Sequence, residues 1–221
     1  MPPLICTTWD DGLQSDLLLI EQLDRLGIIA SFALSPGRYQ NQPVVNDRRG
    51  GYGWLITPGD YSWYARHDVL SHGVGHKEFV RLTDAELHQE LAESRKWLED
   101  IFTRPVTGLC YPYGQTSTRV QKIVAEHYAE ARVTLPRGHF SAAAWDNRYA
   151  IIPTAHWAEP DIVSRILAAE LPRVLLWGHT YEFSHYPEGM EKMVSIYRQL
   201  LEAGARFCSF AEIVDGGTYG S

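Results

Sequence analysis

Two adjacent carboxylates, Asp10 and Asp11, close an apolar run and stand directly before a glycine in Thr7-Thr8-Trp9-Asp10-Asp11-Gly12. Carboxylates at the end of a buried strand can take a proton or hold a cation, although a bare Asp-Asp-Gly is also how an ordinary turn caps the next helix. His72 and His76 lie four residues apart in Ser71-His72-Gly73-Val74-Gly75-His76. A tight turn or a helix would aim both rings at one ion, and two neutral imidazoles with one carboxylate form a facial set that leaves positions open for water and substrate. A pair of structurally bonded histidines would carry the same spacing. His179 ends a second strong apolar run; a lone histidine there is more often structural, but at a strand end facing the same mouth it is a candidate general acid, with Glu182 three residues on as the carboxylate that would favour its charged form if the chain turns back toward the ring. Tyr111-Pro112-Tyr113-Gly114 closes another run with a rigid aromatic turn, which alone reads as a β-to-α connection.

The elements that must position these residues follow from the hydrophobic pattern. Apolar runs alternate with helical spacing along most of the chain, the mark of α/β architecture. Strands are expected at 4–9, 28–34, 106–111, 131–135 and 173–177. Helices are expected at 15–26, closed by Gly27 as a left-handed cap, then at 83–102 behind the capping box Thr83-Asp84-Ala85-Glu86, and at 117–127, 161–170 and 188–203. Between Ser35 and Arg66 the pattern is lost among Gly, Pro, Asn and aromatic residues, including Arg49-Gly50-Gly51-Tyr52-Gly53-Trp54. Such an excursion belongs at an active-site mouth. The set suits a (β/α) barrel or a close variant, whose chemistry sits at the C-terminal ends of its strands.

At 221 residues, 45% hydrophobic and 21% charged, the chain can bury one sizeable core, and a single domain over residues 1–221 is expected. A net charge of −7 supplies no general attraction to nucleic acid or anionic lipid. Cys6, Cys110 and Cys208 are an odd number without C-x-x-C spacing, and read as buried free thiols. With no signal-peptide pattern and no transmembrane segment, a cytoplasmic location is expected; oligomeric state is left open.

Taken together and in order, these segments resemble the polysaccharide deacetylase family, also called the NodB homology domain or carbohydrate esterase family 4. Trp9-Asp10-Asp11-Gly12 is similar to its first motif, His67-Asp68-Val69-Leu70-Ser71-His72 through His76 to its second, Tyr111-Pro112-Tyr113-Gly114 to its third, and Leu175-Leu176-Trp177-Gly178-His179 to its fifth. The resemblance implies a distorted, NodB-like (β/α) barrel of seven parallel strands. It implies Asp10 as base, Asp11, His72 and His76 as ligands of a divalent metal, and the Tyr113 backbone N–H as an oxyanion donor. Zinc is the first choice of metal, with cobalt, nickel and iron also suited to this set. It implies removal of an N-acetyl or O-acetyl group from an amino-sugar-containing carbohydrate, with an acetylated sugar or oligosaccharide as partner.

Two departures stand out. Cys110 occupies the place of the family arginine that orients the catalytic Asp, and Trp145-Asp146 only faintly echoes the fourth motif. Arg132, at the head of an expected strand, is the candidate to replace the missing charge, and exchanging it for Met is expected to lower turnover far more than stability. Trp54, Trp63, Trp177 and Tyr181 are candidates for stacking on a sugar ring. The rival readings are a hydrolase of another non-peptide C–N bond and an inactive carbohydrate binder, the latter prompted by the absent arginine.

Overall fold

The computed structural model describes residues 2–38, 43–45, 52–186 and 188–216. Seven parallel strands follow one another around a curled sheet: β1 (Leu4–Asp10), β2 (Ser31–Leu34), β3 (Asp68–Ser71), β4 (Gly108–Cys110), β5 (Glu130–Arg132), β6 (Ala155–His156) and β7 (Arg173–Gly178). β7 pairs with β1 in register from Leu4↔Arg173 to Trp9↔Gly178, and β1 pairs with β2 from Thr8↔Ser31 to Asp10↔Ala33. A short β8 (Arg206–Phe207) fills the lower part of that β1 edge, at Leu4 and Ile5. Between β5 and β6 the ladder thins to a parallel bridge, Arg132↔Ile151, so the expected seven-stranded, distorted barrel is what forms.

Side chains alternate across each strand. One set, including Ile5, Trp9, Phe32, Val69, Leu109, Val174 and Leu176, packs with the apolar faces of the helices into the main core. The other set faces the barrel interior, where Cys6, Ala33, Leu70, Cys110 and Leu175 pack together over Phe210 and Ile213 of α6 (Phe210–Val214), which stop the N-terminal end. The three cysteines are buried and free. Continuing the inward rows toward the strands' C-terminal ends brings up Asp10, His72, Arg132, His156 and His179.

The helices pack on the outside. α1 (Asp16–Leu26) ends at Gly27, whose φ of 68° only glycine adopts at little cost. α2 (Asp84–Phe102) begins at the expected capping box, with the Glu86 N–H donating to Thr83 Oγ1 and the Thr83 N–H to the Glu86 carboxylate. It buries Leu87, Leu91, Ser94 and Leu98 along one stripe. Truncating one of those leucines to Ala costs about 2–5 kcal/mol. α3 (Thr118–Val124), α4 (Ile162–Ala168) and α5 (Gly189–Glu202) complete the layer, each shorter at its ends than its pattern implies. No helix among the described residues is long and apolar enough to cross a membrane.

The excursion after β2 contains an antiparallel hairpin of Pro43–Val45 and Tyr52–Trp54 and a 3-10 stretch Pro58–Arg66. Residues 39–42 and 46–51, including the expected Arg49-Gly50-Gly51 cluster, lie outside the described residues. The described part does run along the mouth: Leu13 bridges Leu55, and the Ile56 N–H donates to the Gly12 carbonyl just beyond the paired aspartates.

Candidate active site

Asp10 is the last residue of β1 and faces inward. Arg132, the last residue of β5, lies across the mouth and donates through its guanidinium to Asp10 Oδ1, although the two are far apart in sequence. Both are almost completely buried. The small Cys110 at the end of β4, level with Arg132 in the ladder, leaves room for the longer side chain beside it. Burial alone would raise the Asp10 pKa; the Arg132 charge, with His72 and His179, outweighs it and holds the carboxyl below its ordinary range. One consequence corrects the sequence reading of Arg132→Met. Removing one partner of a fully buried ion pair leaves the other uncompensated, so that exchange is expected to lower stability substantially.

Asp11 turns out of β1 with φ 82°. Its Oδ1 lies 3.2 Å from His76 Nε2 and 3.7 Å from His72 Nε2. One ligand atom from each of Asp11, His72 and His76 falls within 4.8 Å of the others. His72 follows β3, and its Nδ1, 2.7 Å from the Cys110 carbonyl, donates there and leaves Nε2 for the mouth. Burial lowers the pKa of both imidazoles, His76 to about 3, so both offer a neutral nitrogen. His76 reaches inward because its backbone turns left-handed, φ 55°. The donor set therefore fits a divalent cation in charge state, number and spacing.

The loop carrying His76 is braced from behind. Glu90 of α2, buried on the apolar face of that helix, accepts from the Gly75 N–H at 2.6 Å and from Lys77 Nζ at 2.9 Å. Gly73 comes so close to Phe79 and Glu90 that a Cβ there would be crowded, at a φ of 74°. Arg38, after β2, places Nη1 3.3 Å from Asp11 Oδ1. Neither contact was read from the sequence. A charge inside the Leu87–Leu91–Leu98 stripe was the available signal for Glu90; Arg38 had none.

Tyr113 sits at the turn after β4 with φ 59° and ψ 5°, and its ring packs edge-on to His76 at 4.6 Å. Asp11, His76 and Tyr113 are strained non-glycine positions of the mouth; the other left-handed non-glycine residues flank helix ends.

Opposite them, His179 follows β7 with Nε2 3.9 Å from Asp11 Oδ2 and Nδ1 3.2 Å from Glu182 Oε1. Glu182 is buried and also accepts from Arg137, from His156 Nε2 at 2.7 Å and from Trp157 Nε1 at 2.9 Å. Burial opposes the His179 imidazolium, but the Glu182 contact, then Asp11 and Asp10, raise its pKa to about 9. Its hydrogen bonds with His156 and His179 hold the Glu182 carboxyl well below its usual range against its own burial. His185 packs against Tyr181 with ring centroids 5.5 Å apart, and His156 reaches the His179–Glu182 pair through Glu182.

Of the candidate stacking residues, Trp63 packs against the main core and Trp177 lies between the rings of His156 and His179. Tyr181 is buried 5.0 Å from the His179 ring, and Trp54 is half exposed. Trp145-Asp146 does not join the mouth: Trp145 stacks under Arg173, the first residue of β7, at the opposite end.

The polysaccharide deacetylase family model matches residues 2–131. A comparison with curated proteins gives no significant match. Among solved structures, a mutant of a CE4 family pseudoenzyme with restored enzymatic activity aligns with a TM-score of 0.64 at 18% identity, covering 98% of this chain and 70% of that one; the wild-type pseudoenzyme is from Bacillus anthracis. The CE4 domain of a multidomain xylanase from the hindgut metagenome of Trinervitermes trinervoides aligns at 0.60 and 16% identity, covering 97% and 91%. The Bc1960 peptidoglycan N-acetylglucosamine deacetylase aligns at 0.64 and 15% identity, covering 95% and 86%. At these identities the structures speak for the fold. The family match, which spans Asp10, Asp11, His72, His76 and Tyr113 and stops one residue before Arg132, covers more than half of the chain: it belongs to the polysaccharide deacetylase family.

Proposed function

We propose that the protein is a metal-dependent hydrolase that removes the N-acetyl, or O-acetyl, group from an amino-sugar-containing carbohydrate, with zinc as the first choice of metal. The Arg132–Asp10 pair carries this reading. It keeps a buried aspartate ionised at the barrel mouth, which is the state a general base needs. The pair supplies from β5 the charge that Cys110 does not supply from β4.

Asp11, His72 and His76 would hold the metal, which would polarise the acetyl carbonyl and make water a nucleophile near neutral pH. Asp10, ionised against Arg132, takes the proton of the attacking water. The Tyr113 N–H donates to the oxygen on which negative charge collects as the carbonyl carbon becomes tetrahedral. His179, with Nδ1 fixed on Glu182, gives its Nε2 proton to the leaving nitrogen as the C–N bond breaks, and acetate and the free amine result.

Acetate release from N-acetylated and O-acetylated sugars and oligosaccharides, measured alongside metal content, tests the reading. Release that depends on the bound metal supports it. A protein that holds its metal and releases no acetate from any such substrate overturns the proposal.

A further inference from the structure

We infer that Asp16 is a positioning residue for the proposed reaction: its one buried carboxylate ties the turn that carries Asp11 to the turn that carries His179, and so fixes the spacing between the metal ligand and the acid. The inference rests on the hydrolase reading above. Asp16 is the first residue of α1, is fully buried, and takes no part in the chemistry described so far. Its partners come from three segments around the mouth. Oδ2 accepts from the Leu13 N–H at 3.1 Å, two residues beyond Asp11, and from the Tyr64 hydroxyl at 2.7 Å, in the 3-10 stretch Pro58–Arg66. Oδ1 accepts from the Thr180 hydroxyl at 2.6 Å, directly after His179.

Helix capping does not account for this arrangement. A capping side chain accepts from N–H groups in the first turn of its own helix, whereas both Asp16 oxygens are used outside α1. Ser15, ahead of it, makes no capping bond and instead places Oγ 2.7 Å from Thr180 Oγ1, so the Thr180 hydroxyl is held from two sides. Leu13, Leu55 and Tyr181 pack as a separate buried cluster across the same junction. His179 is therefore gripped on both flanks: Glu182 holds its Nδ1 and its backbone N–H, and Asp16 holds the residue after it. Between the two turns, His179 Nε2 is 3.9 Å from Asp11 Oδ2. A side chain that sets such a spacing acts on turnover through geometry, since a misplacement of about 1 Å costs roughly 100-fold. Burial pushes the Asp16 carboxyl up to about 7 against these hydrogen bonds, and either form keeps the link. The carboxylate accepts from all three donors; the acid donates to Thr180, whose hydroxyl then turns to Ser15. An Asn side chain can do the same.

The test uses the zinc-loaded full chain. Acetate release from N-acetylated oligosaccharides gives kcat and KM, elemental analysis gives metal content, circular dichroism gives the melting temperature, and 15N NMR reads the His179 ring, its signals assigned with His179→Gln. Thr180→Val removes the link to Asp16 and keeps the side-chain shape. It should lower kcat by about 10-fold to 100-fold with KM and metal content unchanged, and should shift or double the ring signals. Thr180→Ser and Asp16→Asn keep the link and should stay close to the wild type in kcat and in the ring. Tyr64→Phe removes a contact of the same carboxylate on its far side, and should lower the melting temperature while sparing kcat and the ring. Unchanged kcat and ring signals in Thr180→Val overturn the inference, as does metal loss in place of the fall in kcat. Equal losses of kcat in Thr180→Val and Tyr64→Phe overturn it too, by reducing Asp16 to a stabilising contact. If the wild type releases acetate from no sugar, the hydrolase reading fails by itself, and ring signals that respond to Thr180→Val but not to Tyr64→Phe leave Asp16 as the residue that places His179.

Discussion

On the β1–β3 side of the mouth, Asp11, His72 and His76 come from two short stretches of chain. On the β5–β7 side, Arg132 reaches Asp10 and His156 reaches Glu182 across long sequence separations, and Glu182 also pairs with His179 three residues before it. The first side depends on backbone turns: Asp11 and His76 are both left-handed, and glycines surround them. The second depends on charge, with two buried carboxylates, Asp10 and Glu182, each neutralised by an arginine. A cation site can be encoded locally because two or three ligands suffice. Proton transfer needs groups whose pKa values are pushed in opposite directions, and that requires partners brought from elsewhere in the fold.

The largest effect should come from the locally encoded side. His72→Ala and His76→Ala are each expected to abolish metal retention and, with it, activity by roughly 1,000-fold or more, while the barrel stays folded. Elemental analysis with circular dichroism decides the matter, and full occupancy in either variant would remove that residue from the ligand set. The adjacent aspartates should part company in the same assay. Asp11→Asn should lose metal affinity first and recover some activity in excess metal. Asp10→Asn should keep its metal and lose about 100-fold to 10,000-fold in rate. Equal metal loss in both would erase the division between the two sides.

Arg132→Met comes next and strikes the charge-built side. It strands a buried carboxylate, so a stability loss of about 3–5 kcal/mol should accompany the fall in turnover. Adding Asp10→Asn removes the stranded charge. The double variant should regain much of the stability in denaturant titration and none of the activity. If Arg132→Met alone keeps a wild-type rate, Asp10 does not depend on this partner.

A smaller change is expected from Glu182→Gln, read as a pH profile. As the proposed acid, His179 is active below its pKa, and the basic limb of the rate should follow that pKa. Glu182 raises it to about 9, against burial, together with Asp11 and Asp10. A cation on Asp11 acts in the opposite direction, so the limb of the loaded enzyme should lie below that value. Neutralising Glu182 lowers the imidazole's pKa further and should move the limb to lower pH. His179→Gln should delete the limb with metal content unchanged. A limb that stays in place in both variants belongs to another group.

The same contrast explains what could be read in advance. β1, α1, α2, β7 and α5 announce themselves by long periodic runs, and Thr83-x-x-Glu86 and Gly27 mark their ends. β6 and β8 are two residues each and have no period to detect; their pairing comes from the barrel closing around them. Ile28 to Ala30 look like strand, yet pairing with β1 begins only at Ser31. In the site, the His-x-x-x-His spacing was visible, and Arg132 was found only by asking what could replace the charge missing at Cys110. The meeting of Glu182 with Arg137, His156 and Trp157 had no local trace. Trp145-Asp146 is only a faint echo of the fourth motif, and a dipeptide carries no information about which end of a barrel it will reach.

Glu90 joins the two kinds of construction, and its removal should have the smallest effect. It is a buried charge that stabilises a local turn: one oxygen accepts from the Gly75 N–H and the other pairs with Lys77, on either side of His76. Glu90→Ala leaves that N–H without its acceptor and loosens the loop that aims the His76 ring. Such outer contacts are worth about 10-fold to 100-fold in metal affinity. Glu90→Gln keeps an oxygen for Gly75 and loses only the ion pair with a lysine that is more than half exposed, an interaction worth about 0–1 kcal/mol. Metal titration should therefore rank wild type and Glu90→Gln close together, with Glu90→Ala well below. If the Gln variant falls as far as the Ala variant, the charge rather than the hydrogen bond sets the loop, and the cation site is less locally built than its sequence spacing implies.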